Sequence, residues 1–280
     1  MSSIDRLVEQ REEDAISPVA PVRAIGFRPS EISALVNRPV LDTHATEAAF
    51  LWLQRSRAVT APHFRLHHLA RLDRRIDGHL EGLRVDGRAG LRAALQRLDE
   101  CDSGRVFVVG HLAFQAGDSE IMQRALQLGL AQPDFRAGLI SALAWTTLPE
   151  SASALSRLAS SPMAAHRRVA LAVRAARVEP LDLSLADAAE SDDADLRARA
   201  LRAIGDLKQH ELHALARRAA QDPDDACRFW AARSCALLGD RQAAALAWAA
   251  AHTLPALRGT AKERVNGEIP DFIPSMQLRQ

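Results

Sequence analysis

The chain has 280 residues, 48 % of them hydrophobic and 25 % charged, which is enough length and apolar content for a sizeable core. Basic and acidic residues number 36 and 35, a net charge of +1, so the basic excess of a typical nucleic-acid binder is missing. Tyr is absent and aromatics make up 4 %, while Ala, Leu and Arg dominate; this favours helix and excludes a β-sandwich or barrel.

Residues 1–40 read as an arm, partly irregular. Ile4 to Glu13 can form a short helix, after which Pro18, Pro21, Pro29 and Pro39 interrupt regular structure. The opening MSSIDRLVEQREEDAISP is acidic and has no apolar centre, so it does not read as a secretory signal. No apolar run reaches the roughly eighteen residues a membrane span needs. Cys101, Cys227 and Cys235 are odd in number and lack metal-site spacing. Reduced thiols are expected, as suits a cytoplasmic location.

Residues 41–86 form a separate helical block. Thr43 to Val59 carries Ala45, Ala48, Ala49, Leu51, Trp52 and Leu53, and Thr60-Ala61-Pro62 ends it. Leu66 to Leu83 resumes with Leu69, Leu72, Ile76, Leu80 and Leu83 at helical spacing.

From 87 to 253 the chain repeats. Arg105, Arg136, Arg167, Arg197 and Arg228 recur at intervals of 31, 31, 30 and 31 residues, each followed at +3 and +4 by small or apolar side chains. Such a period is the mark of stacked helix pairs. First helices are predicted at Leu91–Leu98, Ser119–Leu130, Glu150–Ala159, Leu181–Ala189, Glu211–Ala220 and Gln242–Ala251. Second helices, which carry the arginines, fall at Val106–Gln115, Phe135–Trp145, Ala164–Ala176, Leu196–Ile204 and Ala226–Leu238. Pro133, Pro162 and Pro223 mark breaks, and Asp134, Asp193 and Asp224 are candidate N-caps. Helices this short are marginal alone and gain stability by stacking. The expected fold is all-α, an α-solenoid of about five to six hairpins behind the N-terminal block. Residues 254–280, rich in turn signals, are expected to cap the end or trail from it.

The units LRARALRAIG (196–205) and CRFWAARSCALLG (227–239) resemble HEAT and HEAT-like repeats. That resemblance implies an Arg near the start of each second helix and an Asp in the preceding loop, forming a ladder between units. Asp99 and Asp222 stand six residues before Arg105 and Arg228 and are the candidate partners; Leu130, Ser161 and Ser191 fill that place elsewhere. The block VLDTHATEAAFLWLQRSRAVTAPHFRLHHLARLDRRIDGHLEGLRVDG (40–87) is similar to the N-terminal signature of a proteobacterial HEAT-repeat family. Members of that family often sit beside type VI secretion genes, including spike-protein genes. The resemblance implies an accessory or adaptor that binds an effector, toxin or secretion component. An immunity protein that neutralises a toxin is the neighbouring alternative. Family members tend to run longer at the C-terminus, and ERVNGEIPDFIPSMQLRQ has no counterpart in the pattern.

Chemistry-bearing clusters are few. His44, Glu47, His63, His67, His68, Asp73, Asp77 and His79 crowd one block, and His63 and His67 have the four-residue spacing of a helical ligand pair. No glutamate lies between them as in a metalloprotease, so a metal-dependent enzyme using 42–79 is kept only as an alternative. One His210-Glu211 pair falls short of an iron-hydroxylase ligand set. Phosphate loops and nucleophile elbows are absent from the sequence. No catalytic, metal or cofactor residue is therefore assigned, and the expected role is non-enzymatic binding of another protein. Trp52, Trp145, Trp230 and Trp248 are expected to anchor the core between helix layers, and any of them that is exposed becomes a candidate contact residue. Candidate contact residues are Trp52, His63, Phe64, His67, Arg71, Arg74 and Arg75 in the distinctive block. A HEAT-like nucleic-acid grip would use Arg217, Arg218 and Arg228, a reading the balanced charge disfavours.

Overall fold

The computed structural model describes residues 37–59, 61–96, 101–146, 148–179, 184–240 and 242–243. The arm through Val36 and the tail from 244 onward, with Trp248 and the 254–280 segment, lie outside the described residues, as do Asp99 and most of the helix expected at Gln242–Ala251.

Every regular element among the described residues is helical. The order is α1 (Arg38–Val59), α2 (Leu66–Val85), α3 (Arg88–Leu95), α4 (Ser103–Ala116), α5 (Ser119–Ala131), α6 (Pro133–Trp145), α7 (Leu148–Ala159), α8 (Ala164–Ala176), α9 (Ser184–Ala189), α10 (Ala194–Asp206), a 3-10 turn (His210–Leu212), α11 (His213–Ala219) and α12 (Asp225–Leu237). The predicted second helices are α4, α6, α8, α10 and α12. Among them, Asp102, Asp193 and Asp224 cap the starts of α4, α10 and α12, and in the other layer Asp118 caps α5, each accepting from a backbone N–H of the first turn. Asp134 does not cap; it lies inside the first turn of α6, behind Pro133 at the helix start. Pro39 likewise opens α1 rather than breaking it, because an N–H is dispensable in the first turn.

The second helices stack side by side. α4 packs on α6, α6 on α8, α8 on α10 and α10 on α12. α1 heads the same row by packing on α4, so the 41–86 block and the repeats share one helix layer. The first helices α5, α7, α9 and α11 lie on α6, α8, α10 and α12 and form the second layer. The result is an α-solenoid.

Burial follows from this position. In α6, Ala137 through Ala144 are all buried, since neighbours flank the helix within the row and across the layers. Row neighbours touch through glycine: a Cβ on Gly104 would stand 2.4 Å from the Ala49 carbonyl oxygen, and one on Gly138 2.0 Å from that of Ser103. Helix α9 has six residues, too few to persist in isolation. Leu185, 1 % exposed, and Ala189 tie it to Leu196, Ala200 and Leu201 of α10. One such buried leucine contributes about 1.5–3 kcal/mol.

Each of the last three second helices ends alike. Glu179, Gln209 and Asp240 return their N–H groups to Arg174, Ile204 and Cys235 at 2.9–3.0 Å. The preceding residues, Val178, Lys208 and Gly239, have φ of 56°, 53° and 102°. This is the left-handed helix stop, with glycine in only one of its three copies.

Candidate protein-binding surface

The repeated arginine performs a backbone task. Arg167 Nη1 donates to the carbonyls of Ser161 (2.9 Å) and Pro162 (2.8 Å). Arg197 Nη1 does the same to Ser191 (2.8 Å) and Asp192 (3.0 Å), and Arg228 Nη1 to Asp222 (2.7 Å) and Pro223 (3.0 Å). In all three copies the targets lie six and five residues upstream, in the turn joining the two helices of the hairpin. Arg136 stands outside this scheme. Its turn is the single residue Gln132, so the equivalent carbonyls belong to the end of α5, and its Nε has no hydrogen-bond partner among the described residues. The equivalent carbonyls for Arg105 lie outside the described residues.

Asp222 is bidentate on the preceding unit: Arg197 Nε and Nη2 donate to its two oxygens at 3.0 Å each. The aspartate thus offers its main-chain carbonyl to Arg228 and its carboxylate to Arg197; Arg228 instead pairs with Asp225. Burial pushes the Asp222 carboxyl up, but the Arg197 bonds and the Asp224 N–H outweigh it and hold the acid below its ordinary 3.8.

In the N-terminal block the candidate residues divide by helix face. Trp52 is 4 % exposed and stacks on Phe107 at 5.5 Å, in the α1–α4 contact. It is a core residue and not a contact residue, because its place on α1 turns it into the helix row. Asp73 and Asp77 also face inward. Asp73 pairs with the buried Arg55 at 2.5 Å, and Asp77 accepts the Trp145 indole N–H at 2.6 Å. Burial, then the Asp73 charge, raises the Asp77 carboxyl despite that bond.

His63, Phe64, His67, Arg71, Arg74 and Arg75 are exposed on the α1–α2 turn and the first half of α2. Phe64 is 39 % and Leu66 76 % exposed. The His67 and His68 rings lie 3.9 Å apart, and Phe64 contacts both His63 and His68. Desolvation, then the neighbouring His67, Arg71, Arg65 and His63, hold the His68 imidazole below its usual 6.5. Among the described residues, Arg74 bonds to the Ala70 carbonyl of its own helix and no carboxylate pairs with Arg71, Arg74 or Arg75. This face is an unbalanced cationic patch with apolar side chains exposed beside it.

The histidines fall into two groups. His44 and His79 share a 3.0 Å Nδ1–Nδ1 contact between α1 and α2, away from the patch histidines around the turn. Among the described residues no three His, Cys, Asp or Glu side chains converge as metal ligands. Arg217 and Arg218 lie 3.6 and 3.2 Å from Asp240 and Glu190, so with Arg228 on Asp225 every position suggested for a phosphate grip has a carboxylate partner. No described helix is long and apolar enough to cross a membrane.

Residues 183–263, which include α9 to α12, match the family model for HEAT repeats. This segment is similar to HEAT repeats. No curated protein and no solved structure matches the chain. Within it, Arg197 and Arg228 clamp two hairpin turns, and the Arg197–Asp222 pair is one rung between consecutive units.

One buried residue gave no sign in the sequence. Arg177, just past α8, donates to the carbonyls of Leu143 (2.5 Å), Ala144 (3.3 Å) and Thr146 and to Ser151 Oγ (2.9 Å). Its guanidinium caps the C-terminus of α6 in the adjacent hairpin. Main-chain acceptors 31–34 residues away leave no pattern of side chains to read.

Proposed function

We propose that the chain is a non-enzymatic protein–protein interaction scaffold whose 63–75 face takes an acidic segment of a partner protein. HEAT-type arrays commonly serve protein–protein contacts. The observation that carries the reading is the patch itself: Arg71, Arg74 and Arg75 have no carboxylate partner among the described residues and stand beside exposed Phe64 and Leu66. Charge complementarity selects an acidic partner, and the apolar side chains supply area to bury. The resemblance of residues 40–87 supports a type VI secretion accessory that binds an effector or spike component. A cytoplasmic immunity protein binding a toxin is the second reading, motivated by the same resemblance.

Capture from a native bacterial lysate tests this, comparing the wild-type chain with Arg71→Glu/Arg75→Glu. The double reversal lies on an exposed face and is expected to leave thermal stability unchanged while reducing capture at least tenfold. A secreted spike component among the captured proteins favours the adaptor, and a toxin favours the immunity protein. Undiminished capture refutes the surface. Recovery of nucleic acid alone, with no protein partner across several salt concentrations, refutes the scaffold.

A further inference from the structure

The layer formed by α8, α10 and α12 contains a second cationic cluster, and it is buried. Arg168, Arg199 and Arg202 are 4 %, 7 % and 5 % exposed. Arg168 Nη1 bonds to Asp195 at 2.8 Å. Arg202 Nε and Arg233 Nη1 share Asp206, at 3.0 and 2.7 Å. The guanidinium carbons of Arg202 and Arg233 lie 4.7 and 5.4 Å from the centre of the Trp230 ring. Among the described residues, Asp195 and Asp206 are thus bonded to arginines other than Arg199. Arg199 Nη1 is buried and has no hydrogen-bond partner among the described residues. A buried guanidinium N–H without an acceptor is costly, since it has left water and gained nothing in return. Burial, then the neighbouring Arg202 and Arg168, press the same way and bring the Arg199 guanidinium down to about 9, against the pull of Asp206.

We propose that Arg199, with Arg168 and Arg202 beside it, forms a site for one small oxyanion, a phosphate or carboxylate group. A single oxyanion supplies the acceptor that Arg199 Nη1 lacks and relieves the repulsion between Arg199 and the neighbouring Arg202 and Arg168. The burial of all three arginines fits one compact group better than a nucleic-acid backbone, which needs an exposed basic track. The interleaved Asp195 and Asp206 likewise repel an extended polyanion. The site lies apart from the 63–75 face and does not rest on the scaffold reading.

Thermal unfolding of the full chain in inorganic phosphate, acetate or chloride at matched ionic strength tests the site. Phosphate also stabilises proteins by exclusion from their surfaces, so only the part lost in Arg199→Met counts. At about ten times Kd the wild type is expected to gain about 3–6 °C over chloride, with most of that gain lost in the variant. A larger gain in phosphate marks a phosphate group, and a larger gain in acetate a carboxylate. Arg71→Glu/Arg75→Glu should keep the full gain. Hydrogen exchange on the wild type reads the site without a mutation: the anion should slow exchange in α8, α10 and α12 selectively. Equal melting in all three salts, an equal gain in Arg199→Met, or protection confined to other helices would overturn the proposal.

Discussion

Replacing Arg177 tests whether one hairpin is locked to the next through main-chain carbonyls. The last turn of a helix has carbonyls with no helical N–H ahead of them. Arg177 serves those of Leu143, Ala144 and Thr146 in a region where Leu143, Ala144 and Thr146 are 0 %, 2 % and 3 % exposed. Water cannot take over without opening the contact. Each orphaned acceptor costs about 1–3 kcal/mol, and three of them set a ceiling of about 9. Two effects reduce it. The burial that depresses the Arg177 guanidinium is itself a cost of the native state, relieved when the cation goes. Small movements would also admit some water. Removing one member of a buried charged network leaves about 3–5 kcal/mol, a large part of a typical total stability of about 5–15. Arg177→Met is the cleanest variant, because it keeps an apolar stem and removes the donors. Urea unfolding followed by far-UV circular dichroism should show that loss. Arg177→Lys should recover only part of it, since an ammonium cannot reproduce the planar fork. A Met variant within about 1 kcal/mol of wild type would refute the assignment of the carbonyl cap as a major contributor.

Gly138→Ala should destabilise by about 1–3 kcal/mol or more in spite of alanine's better helix propensity, because its Cβ meets the Ser103 carbonyl at 2.0 Å; an unchanged melting temperature would contradict the close α4–α6 contact. Val178→Gly should stabilise by about 1 kcal/mol, since a β-branched residue at φ 56° is strained and Val178 is 59 % exposed, with little burial to lose; a lower melting temperature would contradict this. A double-mutant cycle of Arg197→Ala and Asp222→Ala should give a coupling of about 1–2 kcal/mol, and a coupling near zero would dismiss the rung. Because the folded Asp222 carboxyl is held below its ordinary 3.8, its contribution is complete above that value and is lost as the pH falls through the lower folded value. Asp222→Asn should flatten that part of the acid limb in urea titrations, and an unaltered limb would contradict the assignment.

The helix pairs were legible because the arginine period marks one point in every hairpin. Ala164–Ala176 coincides with α8, and the other second helices differ by up to three residues at their starts. What the arginines do was less legible. Position six before Arg228 pointed to Asp222 as its partner, yet the carboxylate serves Arg197 in the unit before. Sequence spacing registers a position within a repeat; stacking decides which neighbour that position faces. Trp52 admits two readings from sequence, core anchor and contact residue, for a related reason. An apolar stripe on α1 can face either α2 or the row, and only the α4 contact fixes the side. The exposed half of α2 was readable because Arg71, Arg74 and Arg75 fall opposite Ile76, Leu80 and Leu83 on the helix. The helix stop at Val178 and Lys208 was invisible, since neither residue advertises a left-handed conformation.

The clamp on the hairpin turns recognises only carbonyl oxygens, which every residue type carries. Ser161-Pro162, Ser191-Asp192 and Asp222-Pro223 are bound alike although their side chains differ. The turns are therefore free to diverge in sequence so long as their length is kept. Insertions should be tolerated poorly there, whereas substitutions should pass. A single-residue turn, as at Gln132, removes the need for the clamp and leaves its arginine available to drift toward another role.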